Sequence, residues 1–224
     1  METMETLAGR IDHTCLKPDA NRKMIHQICQ EASEYNFASV CVNPYWVPLC
    51  KDLLATSSAK VCTVIGFPLG CSYTEIKAEE VSQALEKGAE EFDMVLNISA
   101  LKSEDFEKVH RDIQSVVEAA QGHTVKVILE TCLLSQNEII KACQLAEEAG
   151  AHFVKTSTGF SKGGATVEAI ELMKKTVGDR LKVKASGGIK DRETALRFIE
   201  AGADRLGASA GVAIINGASS SEHY

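Results

Sequence analysis

Short apolar, β-branched runs alternate with amphipathic stretches along the whole chain. Eight of the runs read as strands: Arg10–Thr14, Ser39–Val42, Lys60–Ile65, Phe92–Asn97, Val125–Glu130, His152–Thr156, Leu181–Ala185 and Arg205–Ala208. Dividing 224 residues by eight gives 28 per unit, room for a strand, a helix and two short connections. Strand–helix alternation of this kind implies parallel strands joined by helical crossovers. Eight units predict an α/β chain folded as one closed (β/α)8 (TIM) barrel over residues 1–224, with 1–8 and 217–224 as loose ends. An open doubly wound sheet is the alternative.

The stretches between the strands carry helix signals. Ser72-Tyr-Thr-Glu75 predicts a capping box, with Ile76, Val81, Ala84 and Leu85 on one face and Gly88 as the stop. Ser135-Gln-Asn-Glu138 predicts a second box, and Asp191 a cap for the helix ending near Gly202. Three helices close on a similar phrase: Lys87-Gly-Ala-Glu90, Glu148-Ala-Gly-Ala-His152 and Glu200-Ala-Gly-Ala-Asp204. Each glycine can take the left-handed position after the helix, and each small alanine lets helix and strand pack closely.

Composition narrows the picture. Hydrophobic residues at 45% and charged residues at 25% belong to a folded globular chain. A net charge of −7 argues against a general nucleic-acid binder, while leaving room for a local basic pocket. No apolar run approaches a membrane span, and Met-Glu-Thr-Met-Glu-Thr is not a signal-peptide start. The eight cysteines form no Cys-x-x-Cys pair, which reads as buried free thiols in a reducing cytoplasm.

Reactive residues of such a barrel lie at the C-terminal ends of its strands. Lys155 and Lys184 each interrupt an apolar strand there. An inward lysine cannot stay charged cheaply without compensation, and two together are expected to push each other toward the neutral amine. A neutral amine attacks carbonyls to form a Schiff base. Period-two alternation puts Asp93, Val95 and Asn97 on one face, where Asp93 can neutralise lysines or move protons. A structural ion pair is the other reading of Asp93. Gly187-Gly188 and Gly207-Ala-Ser-Ala-Gly211 follow the last two strands, where these barrels hold phosphate.

Other patterns lead nowhere. Gly207-x-Ser-x-Gly211 matches a nucleophile elbow, yet the thirteen residues after it leave no room for the acid and histidine of that fold. Gly159-Phe-Ser-Lys-Gly-Gly164 is not a P-loop, because its lysine precedes the glycines. The six histidines make no ligand pair, so no metal site is expected.

The chain resembles the deoxyribose-phosphate aldolases, class I Schiff-base enzymes, over nearly its whole length. The resemblance rests on Ile11-Asp-His-Thr-Cys-Leu-Lys-Pro18, Ser39-Val-Cys-Val-Asn-Pro44, Gly66-Phe-Pro-Leu-Gly70, Glu91-Phe-Asp-Met-Val-Leu-Asn97 and Lys126-Val-Ile-Leu-Glu-Thr131. It continues through Phe153-Val-Lys-Thr-Ser-Thr-Gly-Phe160, Gly163-Gly-Ala-Thr166, Val183-Lys-Ala-Ser-Gly-Gly188 and Arg205-Leu-Gly-Ala-Ser209. It implies a (β/α)8 fold and reversible, cofactor-free cleavage of 2-deoxy-D-ribose 5-phosphate to glyceraldehyde 3-phosphate and acetaldehyde. It further implies Lys155 as the Schiff-base lysine, Lys184 as the second lysine that tunes it, and Asp93 as acid–base. Asp12 and Thr14 fall in the substrate-binding set, Cys41 matches a pocket cysteine, and Gly187, Gly188 and Ser209 match phosphate positions. Ala210 stands where the family often has a second serine, and Phe160 where some members carry a lysine. Tyr224 matches a terminal tyrosine that closes over the site in some members. A homodimer is common among them.

Two other functions compete. A phosphosugar isomerase or epimerase on the same barrel needs proton transfer but no inward lysine pair. A catalytically silent phosphate-ligand binder needs only the glycine turns.

Overall fold

A computed structural model describes residues 4–218, and the chain there closes on itself. Eight parallel strands pair in chain order: β1 (Ile11–Cys15), β2 (Ser39–Val42), β3 (Lys60–Ile65), β4 (Glu91–Val95), β5 (Thr124–Ile128), β6 (Phe153–Lys155), β7 (Lys182–Ser186) and β8 (Arg205–Ala208). β8 returns to β1 with Leu206 beside Ile11, so no sheet edge is left and the open-sheet alternative falls. Among the described residues ten α-helices surround the strands: α1 (Met4–Ala8), α2 (Arg22–Tyr35), α3 (Val47–Leu53), α4 (Thr74–Glu86), α5 (Ile98–Lys102), α6 (Phe106–Ala119), α7 (Gln136–Glu148), α8 (Val167–Val177), α9 (Arg192–Glu200) and α10 (Gly211–Asn216). Residues 4–8, expected among the loose ends, instead form α1, with Leu7 and Ala8 buried.

Alternation along each strand divides the interior into two environments. Val40, Val61, Phe92, Met94, Val127, Val154 and Val183 point outward and join the helices in the main core. The inward positions hold a small apolar cluster, Leu16, Cys41, Cys62 and Val64, and beside it a set of buried charges.

The helix signals are met unevenly. Ser135 and Glu138 form the expected capping box, and Asp191 accepts from the Thr194 amide. Gly88, Gly150 and Gly202 all take positive φ, with buried Ala89, Ala151 and Ala203 next to them. The Ser72 box does not form: Tyr73 is the N-cap residue and makes no side-chain cap bond. Nor is Ile76 on the buried face, being 51% exposed. That face is Thr74, Lys77, Val81 and Ala84, because Lys77 and Thr74 reach Asp112 on α6.

Candidate active site

β4, β6 and β7 direct Asp93, Lys155 and Lys184 to one point inside the barrel. Asp93 Oδ2 accepts from Lys155 Nζ at 2.8 Å and from Lys184 Nζ at 2.7 Å. Lys155 and Lys184 are also register partners on neighbouring strands. Asp12 on β1 meets Lys184 from the other side at 2.5 Å. Its second oxygen takes the Ser39 hydroxyl at 2.7 Å and Arg205 on β8 at 2.5 Å. Asp93 Oδ1 accepts from Lys126 on β5 at 2.8 Å and faces the Cys62 thiol at 3.3 Å.

The expectation that the two lysines push each other toward neutrality is overturned for Lys184. Burial favours its neutral form, but Asp12 and then Asp93 outweigh burial and hold it well above the ordinary lysine range. Burial would likewise raise Asp93, but Lys126, Lys155 and Lys184 keep its carboxyl well below the usual range. Asp12 behaves the same way under Lys184, Lys126 and Arg205. In the resting site Lys184 is thus held as an ammonium and Asp93 as a carboxylate. Of the three lysines on Asp93, Lys155 alone reaches solvent, at 3% exposure against 0% for Lys126 and Lys184.

The remaining expected residues fall into three places. Cys41 is fully buried beside Cys62 and Asp93. Thr14 donates to the Asp12 carbonyl at 2.8 Å and lines a separate hollow of about 480 Å³ between β1, α2 and α10. Gly187, Gly188 and Ser209 line one cavity of about 420 Å³ at the barrel mouth. Tyr224 lies outside the described residues. Asn97 departs from its expected place: β4 stops at Val95, and Asn97 turns to accept from the Ala100 amide as the cap of α5.

Two sets of residues escaped the sequence reading. Lys126, Glu91 and Arg205 complete the buried charge network, Lys126 lying 2.7 Å from Glu91. Lys126 interrupts an apolar strand just as Lys155 does, and that signal could have found it. Lys162, Gly163, Gly164 and Lys190 share the mouth cavity, so the segment set aside as no P-loop still lines the same space. A Cβ on Gly164 would sit 2.3 Å from the Gly187 carbonyl oxygen, so the two loops touch backbone to backbone. As to metals, Cys41, Cys62 and Asp93 have donor atoms within 4.8 Å of one another. Three lysines already surround that carboxylate, and the Lys126 and Lys184 charges oppose a further cation.

A closed (β/α)8 barrel with a buried carboxylate between two inward lysines places the chain among the α/β-barrel proteins with a charged interior site. Residues 6–220 match the model of the DeoC/LacD family aldolases. A deoxyribose-phosphate aldolase of Brevibacillus brevis is 62% identical over 208 residues, covering 93% of this chain and 94% of its own. One from Streptococcus sanguinis is 58% identical over 214 residues, covering 96% and 97%. Among solved structures, the tetrameric deoxyribose phosphate aldolase of Aeropyrum pernix superimposes with a TM-score of 0.90 at 34% identity, covering 96% of this chain and 92% of its own. The chain belongs to the DeoC/LacD family of aldolases.

Proposed function

We propose that the protein is a class I aldehyde-lyase that cleaves 2-deoxy-D-ribose 5-phosphate reversibly to glyceraldehyde 3-phosphate and acetaldehyde. The observation that carries this is Asp93 Oδ2 held between Lys155 and Lys184, with Lys155 alone of the two keeping any exposure, 3% against 0%. The Lys155 amine adds to the C1 carbonyl of the open-chain sugar, water leaves, and a protonated imine forms. A base takes the C3 hydroxyl proton, the C2–C3 bond breaks, and its electrons flow into the iminium to give an enamine. Protonation of that enamine and hydrolysis release acetaldehyde and restore the amine. Asp93 stands where it can accept or return each proton, and the Lys184 ammonium favours the neutral form of the amine beside it. Gly187, Gly188 and Ser209 receive the phosphate, while Asp12 holds Lys184 in place from β1 and Cys41 packs beneath Asp93. The inward lysine pair favours this chemistry over an isomerase or a silent binder, neither of which needs it.

Borohydride reduction in the presence of acetaldehyde tests the reading. The expected result is a stable adduct that mass spectrometry of the digest places on Lys155, absent in Lys155→Ala along with turnover. An adduct retained in that variant would overturn the assignment.

The same reading extends to assembly and location. Tyr45, Leu69, Tyr73 and Ile76 are exposed on consecutive connections and helices, which supports self-association as a homodimer. Light scattering of the purified protein would return twice the 24.2 kDa chain mass. Eight free cysteines, six of them buried, support a reducing cytoplasm. No helix of the described residues is long and apolar enough to cross a membrane.

A further inference from the structure

Lys126 is a fully buried ionic group inside the barrel. Its ammonium has three donors, and three acceptors stand around it: Asp93 at 2.8 Å, Glu91 at 2.7 Å and the Cys62 sulfur at 3.4 Å. Asp12 lies at 3.7 Å. It is fully buried, and Ile128, two residues further along β5, is the register partner of Lys155. Lys126 therefore sits one layer beneath the reacting amine, with no donor left for a substrate.

Charge counting shows what it does there. The groups that face this space are Asp12 from β1, Cys41 from β2, Cys62 from β3, Glu91 and Asp93 from β4, Lys126 from β5, Lys155 from β6, Lys184 from β7 and Arg205 from β8. Three carboxylates meet four cations. Lys126, Lys184 and Arg205 are buried or doubly paired, which leaves Lys155 as the cation that can leave its charge behind. Without Lys126 the carboxylates and cations would balance with Lys155 charged, and the pressure on it to lose a proton would fall. We propose that Lys126 is a positioning residue: the fixed cation that fixes Asp93 from below and over-fills the site with positive charge, so that Lys155 works as an amine. The proposal rests on the Schiff-base reading above.

The test compares two substitutions of opposite charge sense on full pH–rate profiles of kcat/KM for deoxyribose 5-phosphate. Lys126→Met keeps an apolar stem of similar length and removes the cation. Its ascending limb is expected about one pH unit or more above that of the parent. Glu91→Gln removes an anion that touches no reacting group, and its limb is expected below that of the parent. A purely structural role predicts losses of the same kind in both, with limbs that overlay. Opposite displacements establish the role, while overlaid limbs, or limbs displaced in the same sense, overturn it. If Lys126→Met does not fold, Glu91→Gln decides alone: a limb unmoved or moved upward overturns the proposal. Borohydride trapping runs alongside on the parent. A parent without an adduct brings down the Schiff-base reading and this proposal with it. A parent adduct with overlaid limbs brings down the role of Lys126 only.

Discussion

Lys184 shows how much a single buried charge can control. It touches two carboxylates and no solvent, so its ammonium is a constant of the site and not a titrating group in the working pH range. Replacing it with leucine removes a positive charge one strand away from Lys155. Lys184→Leu is expected to lose activity at neutral pH, with an ascending limb displaced upward, yet still to form some borohydride adduct in alkaline solution. A profile that overlays the parent would show that Lys184 does not tune the amine. That Lys155, Lys184 and Asp93 point into the barrel was legible in the sequence because each is a charge in an apolar strand. Lys126 breaks its strand in the same way but sits one layer lower, and depth inside a barrel is set by the stagger between strands, which no single strand reveals. The mutual effect of the lysines was misread for a related reason. Their partners, Asp12 and Asp93, lie 172 and 91 positions from Lys184 in the chain, and only barrel closure brings them to it.

Elements were readable where local chemistry ends them and misread where distant partners do. β2, β3 and β8 have the expected bounds, while β5 stops at Ile128 instead of running to Glu130. Glu130 turns into the left-handed region and accepts from the Thr158 amide and hydroxyl, bonds that pin the segment following Lys155. The face of α4 was misassigned because its anchor is a buried ion pair, invisible to an apolar periodicity: Lys77 Nζ lies 2.5 Å from Asp112 and 3.0 Å from the Val95 carbonyl oxygen. Lys77→Met would strand the Asp112 carboxylate, and we expect a loss of about 3–5 kcal/mol in urea unfolding, with Lys77→Met/Asp112→Leu recovering most of it. Equal losses in the single and double variants would show that the pair itself is the source of stability. The mouth cavity is likewise built by elements that meet. Gly188 has φ +84° and open space where a Cβ would point, so Gly188→Val strains the turn and intrudes on the cavity. Its kcat/KM should fall for deoxyribose 5-phosphate by about 2–4 kcal/mol more than for deoxyribose, since only the former places an anion there. Equal fractional losses for the two substrates would place the phosphate elsewhere.

At the scale of the molecule, the repeat of strand and helix announced the barrel, since seven crossovers in a row carry the chain from β1 round to β8, which pairs with β1. What the repeat does not announce is that the inside of this barrel is held by charge as well as by packing. Asp12 and Asp93 bind their protons more weakly in the folded chain than in the unfolded one. Their contribution to stability is present above the unfolded carboxyl value near 3.8 and is lost as pH falls below it toward the folded values. Lys126 and Lys184 bind theirs more tightly when folded. Their contribution is present below the unfolded lysine value near 10.5 and is lost as pH rises above it toward the folded values. Between those two boundaries these four groups exchange no protons with solvent on unfolding and add no slope to stability. Thermal unfolding of the parent should therefore show midpoints with little dependence on pH between about 5 and 7, falling steeply below about pH 4. Asp12→Asn removes one of the two carboxylates whose protonation drives the acid fall. Its midpoint should be lower throughout the plateau, because Lys184 and Arg205 lose a partner, and its decline below pH 4 should be shallower than that of the parent. Parallel curves with the same acid slope would mean that carboxylates elsewhere on the molecule govern acid unfolding and that the barrel charges are neutral bystanders to it.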